Sequence, residues 1–162
     1  MIFKDIEGTS HQVDGCLACA IADGSLTPVG GILYKNEYFH VEQDFETPIE
    51  GFIIVSCLKH YTQFTQLPTQ ARHSLIDLVA KIESLLIKHK VAEQFTILME
   101  ERPNYHLHMW ILPRHDWIVE KFKKINKNIK AIEDYAVNNL KTPENLEKIA
   151  KTYNMLKAEL NK

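Results

Sequence analysis

The stretch Tyr105-His106-Leu107-His108-Met109-Trp110-Ile111-Leu112-Pro113-Arg114 decides how this chain is read. Aromatic or polar residues alternate with aliphatic ones, the period-two pattern of a half-buried strand. Written as a strand, it puts His106, His108 and Trp110 on one face and Leu107, Met109 and Ile111 on the other. Two imidazoles then stand side by side on a rigid surface. Imidazole binds zinc, carries protons near neutral pH and acts as a nucleophile.

Working outward from this stretch, strand-like runs occur at Gly31–Lys35, Tyr38–Gln43, Gly51–Cys57 and Phe95–Glu100, and Lys35-Asn36-Glu37 suggests a tight hairpin. Between them, Pro68–Lys90 turns helical: Leu75, Leu78, Val79, Ile82, Leu85 and Leu86 recur at steps that make one apolar stripe. The first thirty residues, broken by Gly8, Gly15, Gly24, Pro28, Gly30 and Gly31, read as irregular. After Pro113 a second stripe runs from Ile118 to Ala136 and a third from Leu146 to Leu160, with Thr142-Pro143 as N-cap and first helical residue. The expectation is an α+β chain with residues 1–117 as one domain and 118–162 as an extension of two helices that carry no evident chemistry.

The totals set limits. The 162 residues are 45% hydrophobic and 25% charged, an ordinary globular composition. Nineteen basic against 21 acidic residues leave a net charge of −2, so there is no footprint for extended nucleic-acid binding. No apolar run is long enough to cross a membrane, and Met1-Ile2-Phe3-Lys4-Asp5 has no signal-peptide pattern. Three cysteines, two of them in Cys16-Leu17-Ala18-Cys19, fit a reduced, cytoplasmic protein whose paired thiols are metal ligands or redox groups.

Cys16 and Cys19 have the spacing at which two thiolates on a turn hold one tetrahedral ion. Two further ligands must come from elsewhere, and histidine is the natural source. His60 follows one strand and His106 opens another, which makes them reasonable candidates. His73 and His89 lie on the long helix as surface or packing residues. A thioredoxin-like use of the C-x-x-C would need a helix N-terminus after a strand, and Asp14-Gly15 does not look like that context. Cys57, alone in an apolar strand, reads as a packed core residue.

Taken together and in order, these pieces resemble the histidine-triad (HIT) family of nucleotide-binding enzymes. The resemblance rests on Cys16-Leu17-Ala18-Cys19, on Asp44 seven residues before Gly51, on Gly51–Val55 running to Lys59-His60, and on His106-Leu107-His108-Met109-Trp110 ending in Pro113-Arg114. It covers about residues 12–114. It implies an antiparallel sheet with one long helix, a homodimer, and chemistry at the phosphate of a nucleotide or dinucleotide. It also implies a structural zinc on Cys16, Cys19, His60 and His106, a nucleophile at His108, and a ribose contact at Asp44.

Two positions depart from the family pattern. The third triad residue is Trp110, and indole cannot serve as a general acid. Related uridylyltransferases carry glutamine there and remain active. The loop Glu100-Glu101-Arg102-Pro103-Asn104 lacks the usual glycine-rich, hydroxyl-bearing phosphate contacts, which leaves Arg102 and Asn104 to substitute, against the charge of Glu100 and Glu101. The resemblance thus implies a hydrolase or nucleotidyltransferase working through a covalent nucleotidyl-histidine. The alternative is a nucleotide-binding module with little or no turnover.

Overall fold

Two strands in the middle of this chain have no solvent-facing side. Every residue of Phe39–Gln43 (β4) and Ile53–Cys57 (β5) is buried in the computed structural model, which describes residues 1–162. Strands covered on both faces need apolar layers above and below them. The chain supplies those layers as two separate cores.

The sheet has five antiparallel strands in the order β3-β4-β5-β7-β6, with β3 at Tyr34–Lys35, β6 at Phe95–Met99 and β7 at His108–Pro113. The expected hairpin joins β3 to β4, pairing Tyr34 with Val41. The Asn36 side chain closes its turn by accepting from the amides of Tyr38 and Phe39, each at 2.8 Å. The strand expected over Gly31–Lys35 shortens to two residues, because Gly30 and Gly31 both take positive φ and cannot continue a ladder.

The larger core lies between one face of the sheet and the helix Thr69–Lys88 (α2). Ala71, Leu75, Leu78, Val79, Ile82 and Leu86 of α2 pack on Val41, Ile53, Val55, Leu107 and Ile111. Helix Pro143–Leu160 (α5) closes this core with Leu156 and Leu160. Its start is the expected one: Thr142 Oγ1 accepts from the Asn145 amide at 3.3 Å and Pro143 opens the helix.

The opposite face carries the second core. Phe52, Ile54 and Leu112 pack there on Ile118 of helix Asp116–Phe122 (α3) and on Ile132 and Ala136 of helix Ile129–Asn139 (α4). The stripe read as one helix from Ile118 to Ala136 is therefore two helices, separated by a single 3-10 turn at Ile125–Lys127. Lys123 between them takes φ +41, which no continuous helix accommodates. The extension holds three α-helices instead of two.

The N-terminal region also differs from expectation. Its glycines do not prevent a hairpin of Ile2–Lys4 (β1) with Ser10–Gln12 (β2), and helix Leu17–Ala22 (α1) follows. The hairpin turn is held by Asp5, whose Oδ1 accepts from the amides of Glu7 and Thr9 at 2.9 Å each. Gly51, entering β5 at φ +71, has no room for a side chain, since a Cβ there would lie 2.9 Å from Val91.

Candidate metal and nucleotide site

Antiparallel register sorts the side chains of the sheet. Ser56 stands opposite His40 on one side and opposite His108 on the other, and Ile54 stands between Glu42 and Trp110 in the same way. Opposed residues share a face. His40, Ser56 and His108 therefore form one row, and Glu42, Ile54 and Trp110 form the next, all on the face that carries the second core. Where that core ends, the face opens into a cavity of about 870 Å³ lined by Ser56 and His108 of the first row, by the whole of the second, by Asp44 and by the N-terminal segment. This is the size range of a site for a small organic ligand.

At one end of the cavity four ligand atoms converge. One from each of Cys16, Cys19, His60 and His106 lie within 4.8 Å of one another. The Cys19 sulfur is 3.2 Å from His60 Nδ1 and 3.4 Å from His106 Nδ1, and the Cys16 sulfur is 3.5 Å from His106 Nδ1. Metal–sulfur and metal–nitrogen bonds of about 2.3 and 2.0 Å at a tetrahedral angle put such atoms about 3.5 Å apart. The cluster thus has the donor set and the spacing of a closed four-coordinate zinc site. Its ring orientation is also prepared: His106 Nε2 lies 2.7 Å from the carbonyl of Cys57, which leaves Nδ1 as the ligand atom. Burial pulls the His106 imidazole down to about 4, so it is neutral and able to ligate. Burial, and then the neighbouring Cys16, push the Cys19 thiol up to about 11. His106 stands just before β7 instead of inside it, and the 2.7 Å bond from the Leu107 amide to the Tyr61 carbonyl ties that segment to the His60 loop.

His108 opens β7 and faces the cavity. Its Nδ1 lies 2.7 Å from the carbonyl oxygen of His106, so Nδ1 donates and Nε2 keeps its lone pair. Tyr105 brings its hydroxyl to 3.4 Å from that Nε2, a neighbour that the alternation pattern gave no reason to select. Desolvation holds the His108 imidazole below its usual range, in its neutral form. Trp110 stacks beside it, with ring centroids 5.8 Å apart and planes 17° from parallel, and is wedged from behind by Phe52 at 5.7 Å.

Asp44 reaches the cavity from the end of β4. Its Oδ1 accepts from the amides of Glu46 and Thr47 at 3.2 and 2.7 Å, which fixes the carboxylate in a turn and leaves Oδ2 without these bonds. Burial pushes its carboxyl up to about 6 despite those bonds. Arg102 and Asn104 both line the cavity. The Arg102 guanidinium, however, is hydrogen-bonded to Glu100 and lies 4.6 Å over the Tyr105 ring, so part of its charge is already matched.

The extension proves to be part of this site. Lys130 and Glu133 of α4 line the same cavity, which corrects the reading of residues 118–162 as chemically silent. The cause is topological: α4 packs on the face that bears His108, so one side of the helix borders the cavity. Burial, and then the charge of Asp44, push the Glu133 carboxyl up to about 7. Cys57 is a packed core residue, 1% exposed, as its apolar strand suggested.

Comparison with solved structures gives this arrangement a context. The chain superposes on a zinc-bound histidine triad family protein from Mycobacterium smegmatis with a TM-score of 0.63 at 17% identity, covering 90% of this chain and 95% of that one. A HIT-like protein from Bartonella henselae, solved with an unknown ligand, gives 0.62 at 18% identity, over 91% and 97% of the two chains. A HIT family protein from Bacillus anthracis gives 0.54 at 18%, over 78% and 98%. No family model and no curated protein matches the sequence. The fold of this chain is that of the histidine-triad proteins, the one its motifs implied, and within it Cys16, Cys19, His60 and His106 form a cluster able to hold a metal ion.

Proposed function

We propose that this chain is a nucleotide hydrolase or nucleotidyltransferase that works through a covalent intermediate on His108. The observation that carries the reading is the 2.7 Å contact from His108 Nδ1 to the His106 carbonyl, which aims a neutral Nε2 lone pair into the cavity. In the first step Nε2 attacks a nucleotide phosphorus, a P–N bond forms, and the bond from phosphorus to the leaving group breaks. In the second step water or another acceptor attacks the same phosphorus, the P–N bond breaks, and the imidazole is regenerated. Asp44, with Oδ2 open, suits a pair of ribose hydroxyls. Arg102, Asn104 and Lys130 are the polar and cationic groups available to the phosphate.

Zinc suits the four-ligand cluster, and the zinc-bound fold neighbour supports that choice of metal. With four protein ligands the ion has no open position and acts as a structural tie. Cys16 and Cys19 would then be fastened to the His60 loop and to His106, the residue that orients His108.

One observation favours the alternative of a binding module. Trp110 holds the place beside His108 where a proton donor would assist the leaving group, and its indole N–H is a poor acid. The two readings separate in one experiment. Incubation with a panel of nucleoside polyphosphates, phosphoramidates and dinucleotides, followed by denaturing mass spectrometry, should find a nucleotidyl adduct on the wild-type chain and none on His108→Ala. Binding without any adduct or turnover would leave the module reading.

A further inference from the structure

One turn carries the polar group nearest the proposed nucleophile. Arg102, Pro103, Asn104 and Tyr105 lie between β6 and β7, and the Tyr105 amide donates to the Arg102 carbonyl at 3.1 Å. Asn104 takes φ +60, a left-handed conformation that asparagine tolerates better than most residues. The turn delivers both of its end side chains to the cavity, which Arg102 and Tyr105 line together. The guanidinium lies 4.6 Å over the Tyr105 ring and is hydrogen-bonded to Glu100. The phenol ring is half-buried and stands 5.1 Å from the His108 ring, tilted 54° to it.

The Tyr105 hydroxyl ends 3.4 Å from His108 Nε2, its one hydrogen-bonding neighbour in the chain. Nδ1 of His108 is committed to the His106 carbonyl, so Nε2 is the acceptor and the phenol O–H donates to it. A donor on the attacking lone pair is at first sight an obstacle, since phosphorus must come to that same lone pair. Reacting atoms in a productive complex stand about 3–3.5 Å apart. A phosphorus at that distance displaces the hydrogen bond and leaves the hydroxyl beside the phosphoryl oxygens. Trp110 is not placed for this part. Its plane lies 17° from that of the imidazole, so the indole N–H runs alongside the ring and not toward Nε2.

Resting on the covalent reading above, we infer that Tyr105 is a further catalytic residue, whose hydroxyl leaves Nε2 as phosphorus arrives and donates its hydrogen bond to a non-bridging oxygen of the phosphoryl group under transfer. The hydroxyl keeps its own proton throughout. The bonds made and broken are those already given: P–N forms as the bond to the leaving group breaks, and the electron pair departs with the leaving group. The lone pair that accepted the phenol O–H is consumed by the P–N bond, so the donor passes from nitrogen to oxygen in step with attack. Such a bond belongs to the transition state, and it raises kcat instead of tightening ground-state binding. When the P–N bond breaks in the second step, Nε2 recovers its lone pair and the hydroxyl returns to it.

The test uses Tyr105→Phe in the full chain, which keeps the ring under Arg102 and removes only the hydroxyl. The substrate is the member of the panel above that forms the adduct fastest. With it, kcat should fall about a hundredfold, as on losing one donor to a developing oxyanion, while KM stays within about threefold. Zinc content and melting temperature should match wild type. A second measurement puts sulfur, a poor hydrogen-bond acceptor, in place of one non-bridging oxygen at the attacked phosphorus. The two diastereomers are then assayed separately. Wild type should react more slowly with the one that turns sulfur toward Tyr105, and Tyr105→Phe should lose that preference. A kcat within about threefold of wild type, or a slower variant with its diastereomer preference unchanged, would overturn the role while leaving the covalent reading in place. Equal rates for both diastereomers in wild type would overturn it as well, with no variant required to fold. If no panel member formed an adduct on the wild-type chain, the covalent reading would fail and this inference with it.

Discussion

His106 and His108 are joined through the backbone: the carbonyl oxygen of His106 holds His108 Nδ1 at 2.7 Å, while the His106 ring turns its own Nδ1 to Cys16 and Cys19 at 3.5 and 3.4 Å. One residue thus belongs to the metal cluster by its side chain and to the proposed nucleophile by its main chain. Any change that loosens the cluster should reach His108 through two residues of backbone.

The metal is the first consequence. Elemental analysis of protein purified without chelating tags should find about one zinc per chain. The double variant Cys16→Ser/Cys19→Ser should lose it and unfold at least ~10 °C lower, the effect of about 3 kcal/mol on a domain of this size. Full metal occupancy in that variant would count against the four-ligand assignment.

Nucleophile and metal should separate genetically. His108→Ala should lower turnover by about three orders of magnitude or more, as expected when a covalent nucleophile is deleted. Its zinc content and melting temperature should stay close to wild type, since His108 is not among the four clustered ligands. Unchanged turnover in His108→Ala would sink the mechanism.

Trp110→His gives the reverse test. It restores a proton-carrying group beside the leaving group and should raise turnover by about tenfold or more, at the lower end of general-acid effects or below. The variant also removes an indole packed between His108 and Phe52, so some loss of thermal stability should accompany the gain.

Glu133 predicts a pH dependence of stability. Its folded carboxyl is pushed up to about 7, from an ordinary value of 4.5, by burial first and by Asp44 next, with Lys130 opposing and Glu46 and Asp134 adding to the shift. A carboxyl raised on folding favours the protonated folded state. Its stabilisation is therefore complete below about 4.5 and is lost as pH rises through 7. Asp44, raised to about 6, acts in the same direction. Glu133→Gln should then be more stable than wild type at pH 8, by about 1 kcal/mol once partial solvent screening is allowed for, and nearly equal to it at pH 4. Thermal melts at the two pH values check this, and a larger gain at pH 4 would contradict it.

Assembly is the remaining expectation. β6 is an edge strand whose outer side is unpaired in the chain, and Ile97 on it is 42% exposed, while Ile76 and Ile87 stand exposed on α2. Edges of this kind invite pairing with a second copy. Light scattering at micromolar concentration should report a homodimer, and Ile97→Lys should shift it toward monomer. A monomeric wild type would refute this.

Much of this molecule was legible in one dimension. Alternation in Leu107, His108, Met109, Trp110 and Ile111 determined which side chains share the face packed on α2 and which share the face of the site, because a strand has a period of two. The stripe of α2 and the cap at Thr142-Pro143 were equally local. The donor pair Cys16 and Cys19 was visible for the same reason, since a C-x-x-C turn is set by four adjacent residues. What the tertiary structure decided depends on register between distant strands and on which face a helix covers. Glu42, His40 and Ser56 meet only because β4 pairs with β5 in one register, and nothing in the run around Glu42 marks its side chain as facing a cavity. Glu133 and Lys130 enter the site only because α4 packs on Phe52, Ile54 and Leu112, so an ordinary amphipathic helix becomes one wall of the cavity through long-range packing that local periodicity does not encode.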